Sequence, residues 1–252
     1  GVNSGDVGLF QFSEIENLVG GSRDDVFRLS GGSIEGSIDG GTDDATVVPA
    51  VENSLQVGNT INEWTVDQQF GGSVRLGPNP TDPRLNFTNI QNVTGGNEVD
   101  NFTLRSGGTL LSIVAGAGED SLTGDNLANS WIVADVNADG QRIDEGSLTS
   151  ASGTTTFFGV ENLAGGTNTD TFTFENGARI SRTIDADAGT NSLNLSAYTT
   201  ILTVQLTALG TENGFDGTTA GGPNPIGVSF SNISTLTLNS STGTSGDRLI
   251  GL

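Results

Sequence analysis

The sequence predicts an all-β chain folded as a right-handed parallel β-solenoid, and three observations favour this class. Apolar residues alternate over short runs, such as Phe27 with Leu29 and Trp64 with Val66, as they do on strands. Glycine and small polar residues separate these runs, as turns require. A longer motif recurs every 70–75 residues, which is typical of a repeat architecture.

The strand assignment rests on composition as well as on periodicity. Glycine accounts for 38 of the 252 residues, while hydrophobic residues make up only 33%. A hydrophobic share this low raises the question of disorder. We reject disorder because the apolar residues form regular runs of β-formers, for example at 46–48 and 202–204. No stretch shows the 3.6-residue stripe of an amphipathic helix.

The recurring motif starts at Phe12, Phe87 and Phe157, with a shorter copy at Phe230. Each full copy places an aliphatic residue three positions after the phenylalanine and ends in a glycine pair. A strand containing aspartate follows, and a second glycine-acid element comes about twenty residues later. This agreement predicts one continuous array over residues 1–252. Its repeats span 12–86, 87–156 and 157–229, with a partial repeat at 230–252 and the end of a preceding repeat at 1–11.

The recurrence inside each repeat predicts roughly three solenoid coils per repeat, with like residues stacked about 4.8 Å apart. The motif phenylalanines and the aliphatic residues after them should fill the core, and the motif asparagines should sit at corners and bond the backbone of neighbouring coils. The glycine pairs should supply positive φ at tight corners. The alternative fold is a series of small β-sandwich domains, each needing about seven antiparallel strands. The residues assigned to the core are Phe12, Ile15, Phe87, Ile90, Phe157, Val160, Phe230 and Ile233, and the corner asparagines are Asn17, Asn92 and Asn162.

Several segments resemble known bacterial repeats. Residues 116–122, Gly-Ala-Gly-Glu-Asp-Ser-Leu, are similar to the repeats-in-toxin nonapeptide. The Ile-Glu-Asn-Leu-x-Gly-Gly motif at 15–21 and the Asn-x-Trp strand at 62–64 resemble degenerate β-strand repeats of giant bacterial surface proteins and adhesins. The resemblance covers essentially the whole chain. It implies secretion and a structural or adhesive role.

The resemblance also implies a candidate calcium ligand at Asp120. In toxin-type repeats, aspartate carboxylates and glycine-turn carbonyls hold calcium between coils. Here the nonapeptides are isolated rather than tandem, and one element offers fewer oxygens than the roughly six to eight that calcium takes. The remaining turn aspartates are interpreted as caps of corners. They are Asp25, Asp44, Asp100 and Asp170.

A second calcium candidate lies at residues 135–145. Asp135, Asn137 and Asp139 follow the calcium-loop pattern Asp-x-Asn-x-Asp-Gly. The twelfth position is Gly146, where a bidentate glutamate belongs, so Glu145 is the expected substitute. The flanks are predicted strands, so no helix–loop–helix is expected, and a simple polar turn stays an alternative. Calcium is the only cofactor suggested, and its candidate ligands are Asp120, Asp135, Asn137, Asp139 and Glu145.

The residue types argue against catalysis. The sequence has no histidine, no cysteine and no lysine. It therefore lacks the parts of a Ser-His-Asp triad, a zinc site of the usual kind or a Schiff base. A pair of carboxylates, the catalytic group of glycosidases, stays possible because acids are plentiful. Many of these acids recur at matching positions, however, which favours an architectural role. We predict no enzyme and assign no catalytic residue.

The charge and the predicted ends indicate which partners to expect. A formal charge of −21 repels phosphate backbones, so no nucleic-acid partner is expected. No apolar run approaches the roughly eighteen residues of a membrane span. Solenoid ends expose strand edges, which predicts end-to-end self-association or continuation of a longer chain.

These observations predict a structural segment of a secreted, repetitive bacterial surface or filament protein. It would act outside the cell as a rigid spacer or a self-assembling fibre unit. The alternatives are a calcium-binding adhesin segment that recognises a surface or a glycan and, more remotely, a β-helix polysaccharide-degrading enzyme. The irregular loops at 77–86 and 210–227, which share Pro-Asn-Pro, are the adhesive candidates.

Overall fold

The computed structural model describes residues 4–7, 10–30, 32–42, 52–221, 223–239 and 246–252, with side chains from residue 14 onward. These residues form twenty-five β-strands and no helix, so the all-β prediction is confirmed. None of the described segments is therefore an apolar helix of membrane-spanning length. The chain divides into two compact units, Gly1–Asp120 and Ser121–Leu252. The repeat boundaries given above stay a prediction.

The first unit contains twelve strands. They are β1 Ser4–Val7, β2 Phe10–Ser13, β3 Asn17–Val19, β4 Val26–Arg28, β5 Ser37–Asp39, β6 Ser54–Gln56, β7 Asn62–Gln68, β8 Gly71–Leu76, β9 Arg84–Thr88, β10 Asn92–Thr94, β11 Asp100–Leu104 and β12 Ser112–Val114. After the β1–β2 hairpin, the strands form two rows, ordered β3-β5-β9-β8-β7-β11 and β4-β6-β10-β12. Neighbours in these rows pair parallel. The exception is the antiparallel meander β7-β8-β9.

The second unit contains thirteen strands. They are β13 Ser121–Thr123, β14 Asn129–Val133, β15 Glu145–Ser150, β16 Gly153–Phe158, β17 Asn162–Ala164, β18 Asp170–Phe174, β19 Thr183–Asp185, β20 Ser192–Asn194, β21 Thr203–Leu209, β22 Phe215–Ala220, β23 Ser229–Ile233, β24 Thr235–Thr237 and β25 Arg248–Ile250. Its rows are β13-β17-β19-β23-β22-β21-β25 and β16-β15-β14-β18-β20-β24. The meanders β14-β15-β16 and β21-β22-β23 are antiparallel, and the other pairs are parallel.

Within each unit, the chain crosses to the other row after every single strand or meander. One repeat holds five such positions, which are β3, β4, β5, β6 and the meander β7-β8-β9. Because five is odd, equivalent strands of successive repeats fall in opposite rows. In the first unit this separates β3 from β10, and in the second it separates β17 from β24.

The core is formed by alternate residues of these short strands. Phe102 and Leu104 on β11 are buried, as are Phe172 and Phe174 on β18. Each such side chain stabilises the fold by about 2 kcal/mol through burial of apolar surface. The predicted core residues that lie beyond residue 80 are all buried. They are Phe87, Ile90, Phe157, Val160, Phe230 and Ile233.

Ile15 departs from the prediction, since its side chain is 39% exposed. It precedes β3, the end strand of its row, so among the described strands a neighbour covers it on one side only. Its counterpart Ile90 precedes an interior strand, β10, and is fully buried. The difference shows that stacking of strands along the rows is what buries this position. The side chain of Phe12 lies outside the described residues.

Glycine is required in the glycine pairs for a different reason from the one predicted. Positive φ is found in the second glycine element instead, for example at Gly116 (107°) and Gly189 (116°). At Gly95, an added Cβ would collide with the carbonyl oxygen of Ala115 and with the Asp100 carboxylate. Close approach of the neighbouring backbone, rather than a left-handed turn, therefore requires glycine at the first position of the pair.

The motif asparagines do bond neighbouring strands, to a backbone N–H in the first copy and to side-chain hydroxyl groups in the next two. Asn17 Oδ1 accepts a hydrogen bond from the Ser37 backbone N–H at 3.0 Å. Asn92 Oδ1 accepts one from Ser112 Oγ at 2.6 Å, and Asn162 Oδ1 accepts one from Thr183 Oγ1 at 2.7 Å. Each bond joins a strand to its parallel neighbour, about twenty residues later in the chain.

One corner was not predicted from the sequence. The residue directly before the aliphatic position of the motif adopts positive φ in every copy, at Glu14, Asn89, Gly159 and Asn232. Asparagine and glycine tolerate this conformation better than other residues do. In the first unit, Asn89 Nδ2 also donates to Asp39 Oδ1 at 2.8 Å. In the second unit, Asn232 Nδ2 donates to Asp185 Oδ1 at 2.8 Å.

Candidate functional site

The candidate site is the loop of residues 134–144, which joins β14 to β15. Its counterpart in the first unit joins β7 to β8 through only Gln69 and Phe70. The third meander joins β21 to β22 through residues 210–214. The acidic loop is therefore an enlargement found in one of the three meanders that the described residues form. Its acids are not needed to turn the chain at this place.

Asp135 organises the first half of the loop. Its Oδ1 accepts the backbone N–H of Asp139 at 3.1 Å, and its Oδ2 accepts that of Gly140 at 2.9 Å. Ala138 and Gly140 have φ of 58° and 85°, so two of three consecutive residues lie in the left-handed region of the backbone. The carboxylate of Asp135 thereby fixes a tight turn around itself.

Asn137 and Asp139 add a second set of bonds inside the loop. Asn137 Nδ2 donates to Asp139 Oδ2 at 3.2 Å, while Asn137 Oδ1 accepts the Asp139 N–H at 3.1 Å. Asp139 Oδ1 accepts the N–H of Gln141 at 2.7 Å. Both side chains are exposed, so these bonds order the loop at the protein surface.

Three carboxylates converge at this turn. One oxygen from each of Asp135, Asp139 and Glu145 lies within 4.8 Å of the others. Glu145, the first residue of β15, is only 4% exposed. Its Oε1 is buried and has no hydrogen-bond partner among the described residues. The structure thus brings together four of the five candidate ligands predicted from the sequence, because Asn137 lies in the same loop.

The electrostatics of the cluster are unbalanced. Burial raises the pKa of Glu145, and the negative charges of Asp139 and Asp135 raise it further, while Arg142 lowers it. The guanidinium of Arg142 is engaged elsewhere. Its Nη1 lies 3.5 Å from Glu175 Oε2 and donates to the Asn176 carbonyl at 3.2 Å. The arrangement therefore concentrates negative charge around a buried carboxylate.

Asp144 anchors the end of the loop, and its role was missed in the sequence. It has φ of 60°, its N–H donates to the Arg179 carbonyl at 2.9 Å, and its Oδ1 accepts the Ser181 N–H at 2.6 Å. Burial raises the pKa of Asp144, opposed by the bonds to Ser181 and by the charge of Arg179. These contacts to the neighbouring segment hold the chain where Glu145 begins. The sequence signal was an acidic pair, Asp144-Glu145, at the start of a strand.

Close packing explains why residue 146 is glycine. A Cβ there would collide with the Ile132 carbonyl oxygen and with the ring of Phe157. This explains why the position that carries glutamate in the calcium-loop pattern is glycine here. Glu145 is the acid that enters the cluster in its place, as the sequence predicted.

Asp120 does not belong to this cluster. It lies in the first unit, fully buried, and its Oδ1 accepts the Asp100 backbone N–H at 2.8 Å. In the second unit, Asn191 Oδ1 accepts the N–H of Asp170 in the same way at 2.9 Å. Because an amide serves equally well there, we interpret Asp120 as a corner acceptor. A calcium role for Asp120 stays a prediction that this geometry does not favour.

The motif aspartates act as corner caps in the described structure. Asp25, Asp100 and Asp170 each accept the backbone N–H of the second glycine of their own pair. The donors are Gly21 at 2.5 Å, Gly96 at 2.7 Å and Gly166 at 3.0 Å. Asp44 lies outside the described residues. The recurring aspartates therefore serve the fold, which sets them apart from the acids of the 134–144 loop.

Comparison of the chain with protein-family models, with curated proteins and with solved structures found no match. The similarity to bacterial surface repeats therefore stays a prediction from the sequence. Any function has to be inferred from the residues of this chain.

Proposed function

We propose that this chain is a rigid structural segment of a secreted, repetitive bacterial surface or filament protein, wound as a parallel β-solenoid. The observation that carries the proposal is the pairing of like residues between parallel strands. Leu18 lies beside Ile38 and Val93 beside Ile113 in the first unit, and Leu163 lies beside Ile184 in the second. In such in-register stacking, each coil would be held in place by its contacts with the next coil, which would make the array rigid.

The burial pattern supports the same proposal. Ile15, next to an end strand, is exposed, while its interior counterparts Ile90 and Val160 are fully buried. Burial at this position therefore depends on a neighbouring strand on both sides, which is what a solenoid would require. A β-sandwich domain would instead close its core by packing two antiparallel sheets.

The end strands of the rows favour a role in assembly. In the first unit, β3 and β4 stand at row ends and expose Val19 and Val26. In the second unit, β25 stands at a row end and exposes Leu249 and Ile250. Exposed apolar strand edges favour addition of another strand. We propose that further coils cover these edges, supplied by a longer chain or by a second copy.

The proposal is tested by the length of the particle in solution. Small-angle X-ray scattering would compare the single chain with a direct head-to-tail fusion of two copies. A continuous solenoid should increase its maximum dimension in proportion to copy number, at an unchanged cross-section. A fusion with a flexible glycine-serine linker is the control, because its two copies move independently of each other. A direct fusion that scatters like this control would contradict the rigid-spacer proposal.

Assembly through the ends is tested separately by sedimentation velocity. The chain should associate as its concentration rises, and Leu249→Glu should weaken that association. Leu209→Glu is the matched control, because Leu209 is equally apolar and exposed but lies beside the β21–β22 turn. Equal effects of the two substitutions would contradict assembly through β25. Recognition of a surface or a glycan stays a prediction.

A further inference from the structure

The most unusual group in the second unit is Glu145. A buried carboxylate oxygen without a donor loses its hydration and gains nothing in return, which costs free energy. Glu145 Oε1 is in that position among the described residues. Two further carboxylates face it, from Asp135 and Asp139. The geometry points to a calcium ion bound by Asp135, Asp139 and Glu145 in the β14–β15 loop.

A cation answers the two problems that the cluster presents. It supplies a positive partner to the Glu145 carboxylate, one oxygen of which has no donor, and it removes the mutual repulsion of three carboxylates. An arginine could have done the same, but Arg142 pairs with Glu175 and with the Asn176 carbonyl. No salt bridge within the described ranges joins a base to Asp135, Asp139 or Glu145.

The donor set selects calcium over other metals. All the side chains on offer are oxygen donors, and the amide oxygen of Asn137 lies in the same loop. The chain has no histidine or cysteine, which zinc and copper sites use. Carboxylate and amide oxygens on an irregular loop suit the flexible coordination of calcium. Magnesium demands a small octahedral shell and keeps its water.

The loop is also set apart from the repeat. The corresponding turn of the first unit is two residues long and contains no acid. Acids that only maintained the fold would be expected to recur there, as the corner aspartates do. The inference is independent of the proposed structural function. It would hold for a spacer, a fibre unit or an adhesive segment.

Calcium binding should strengthen the meander that carries the loop. Asp135 lies two residues after β14, and Glu145 is the first residue of β15. An ion shared by these residues ties the two strands together where the chain between them is longest. A ligand that binds only the folded state raises its stability in proportion to the logarithm of its concentration.

The experiment is calorimetric titration of the full chain, stripped with a chelator and held at constant ionic strength. We expect one calcium per chain with a dissociation constant of about 10⁻⁵ to 10⁻³ M, from the weak limit of sensor sites to the affinity of extracellular modules. Glu145→Gln should weaken binding at least about tenfold, because ligand charge sets affinity. The matched control is Glu212→Gln, which removes one exposed acid from the corresponding β21–β22 turn.

Thermal unfolding separates the site from general charge screening. Without calcium, Glu145→Gln should melt at a higher temperature than the native chain, because it removes an uncompensated buried charge. With calcium, only the native chain and Glu212→Gln should gain stability. A calcium effect that magnesium reproduces, or that survives Glu145→Gln, would overturn the inference. So would the absence of binding heat at concentrations tenfold above that range. Asp139→Asn, at an exposed position, gives a second test should Glu145→Gln fail to fold.

Discussion

The chain builds the same aromatic cluster twice, once in each unit. Trp64 stacks on Phe102 with ring centroids 5.4 Å apart and meets Phe87 edge-on at 6.0 Å. Trp131 stacks on Phe172 at 5.5 Å and meets Phe157 edge-on at 6.1 Å. The interplanar angles agree to within about 5°. Such agreement shows that the repeat reproduces its core geometry closely.

The polar corners beside the two clusters also share a plan. Asn62 Nδ2 donates to Asp100 Oδ1 at 2.7 Å, and Asn129 Nδ2 donates to Asp170 Oδ1 at 2.8 Å. Each aspartate in turn donates its backbone N–H to the next corner residue. That residue is Asp120 in the first cluster and Asn191 in the second.

The aromatic clusters around Trp64 and Trp131 differ in two ways, and these differences show which features the fold requires. The next corner residue is a carboxylate in one and an amide in the other, so only an acceptor oxygen is required. The Trp64 Nε1–H donates to Asp100 Oδ1 at 3.3 Å, whereas Trp131 Nε1 has no partner among the described residues. The shape of the indole is therefore common to both clusters, and its hydrogen bond is not.

The largest expected effect is loss of either indole. Trp64→Ala and Trp131→Ala should each lower the free energy of unfolding by about 3–5 kcal/mol, since each empties a buried cluster. Denaturant unfolding followed by circular dichroism measures this. The chain has only two tryptophans, so in each variant the fluorescence of the other reports on the intact cluster. Costs that differ by several kcal/mol would show that the clusters are not equivalent.

The carboxylate corners should make stability depend on pH. Burial raises the pKa of Asp120 and of Asp170 to about 6, from the usual value of 3.8. The folded state then holds these protons more tightly than the unfolded state, so stability falls as pH rises from about 4 through 6. Between pH 7.5 and pH 5, the gain is about 1.4 kcal/mol for each group. Denaturant midpoints across this range measure it.

Asp120→Asn is the variant that isolates one of these groups. It copies the arrangement at Asn191, since an amide oxygen can accept the same N–H. Stability at pH 7.5 should rise, and the gain on acidification should fall by about 1.4 kcal/mol, the share of Asp120, while Asp170 and the other buried acids with a raised pKa keep theirs. Asn191→Asp should act in the opposite direction at pH 7.5. A stability that increases with pH over this range would contradict the assignment.

Replacing each indole by a smaller ring isolates the indole hydrogen bond. Trp64→Phe removes a donor to a buried carboxylate, whereas Trp131→Phe removes an N–H that has no partner. We expect Trp64→Phe to be the more costly by about 1 kcal/mol. Parallel denaturant unfolding of both variants measures the difference. Equal costs would mean that the bond to Asp100 adds nothing to stability.

The smallest effect is expected at the corner after each edge-on phenylalanine. Asn89 occupies it in the first unit and Gly159 in the second, both with positive φ. Gly159→Ala should cost about 1 kcal/mol, because a Cβ is disfavoured in the left-handed region. Gly159→Asn should cost a few tenths of that. Thermal unfolding compares the two, and equal costs would point to steric crowding rather than to backbone conformation.

Much of this arrangement could be predicted because a repeat shows which residues share an environment. The alternation of Phe102 with Leu104 and the recurrence of the motif were enough to predict strands and most of the core. The reason for the glycine pairs could not be predicted. Close approach and positive φ both select glycine, and only coordinates separate Gly95, which is crowded, from Gly116, which is left-handed.

The candidate site was predictable only in part, for a related reason. The spacing of Asp135, Asn137 and Asp139 is local, so a short-range pattern could identify it. The anchoring of Asp144 on Ser181 depends on a segment about forty residues away, and the burial of Glu145 depends on packing that a local pattern does not contain. The direction of the strands in the meanders could not be predicted from the sequence either. Antiparallel strands inside a parallel array, such as β8 and β15, have the same alternating pattern as the strands around them.

The odd number of strand positions in a repeat has a consequence for anyone who wishes to decorate this scaffold. In the second unit, the meander β14-β15-β16 lies in one row and β21-β22-β23 in the other. Binding groups grafted onto the same turn of two successive repeats would therefore be carried by different sheets. A one-sided display needs every second repeat. Deleting a single repeat from such an array would exchange the sheets of everything that follows, whereas deleting a pair would preserve them.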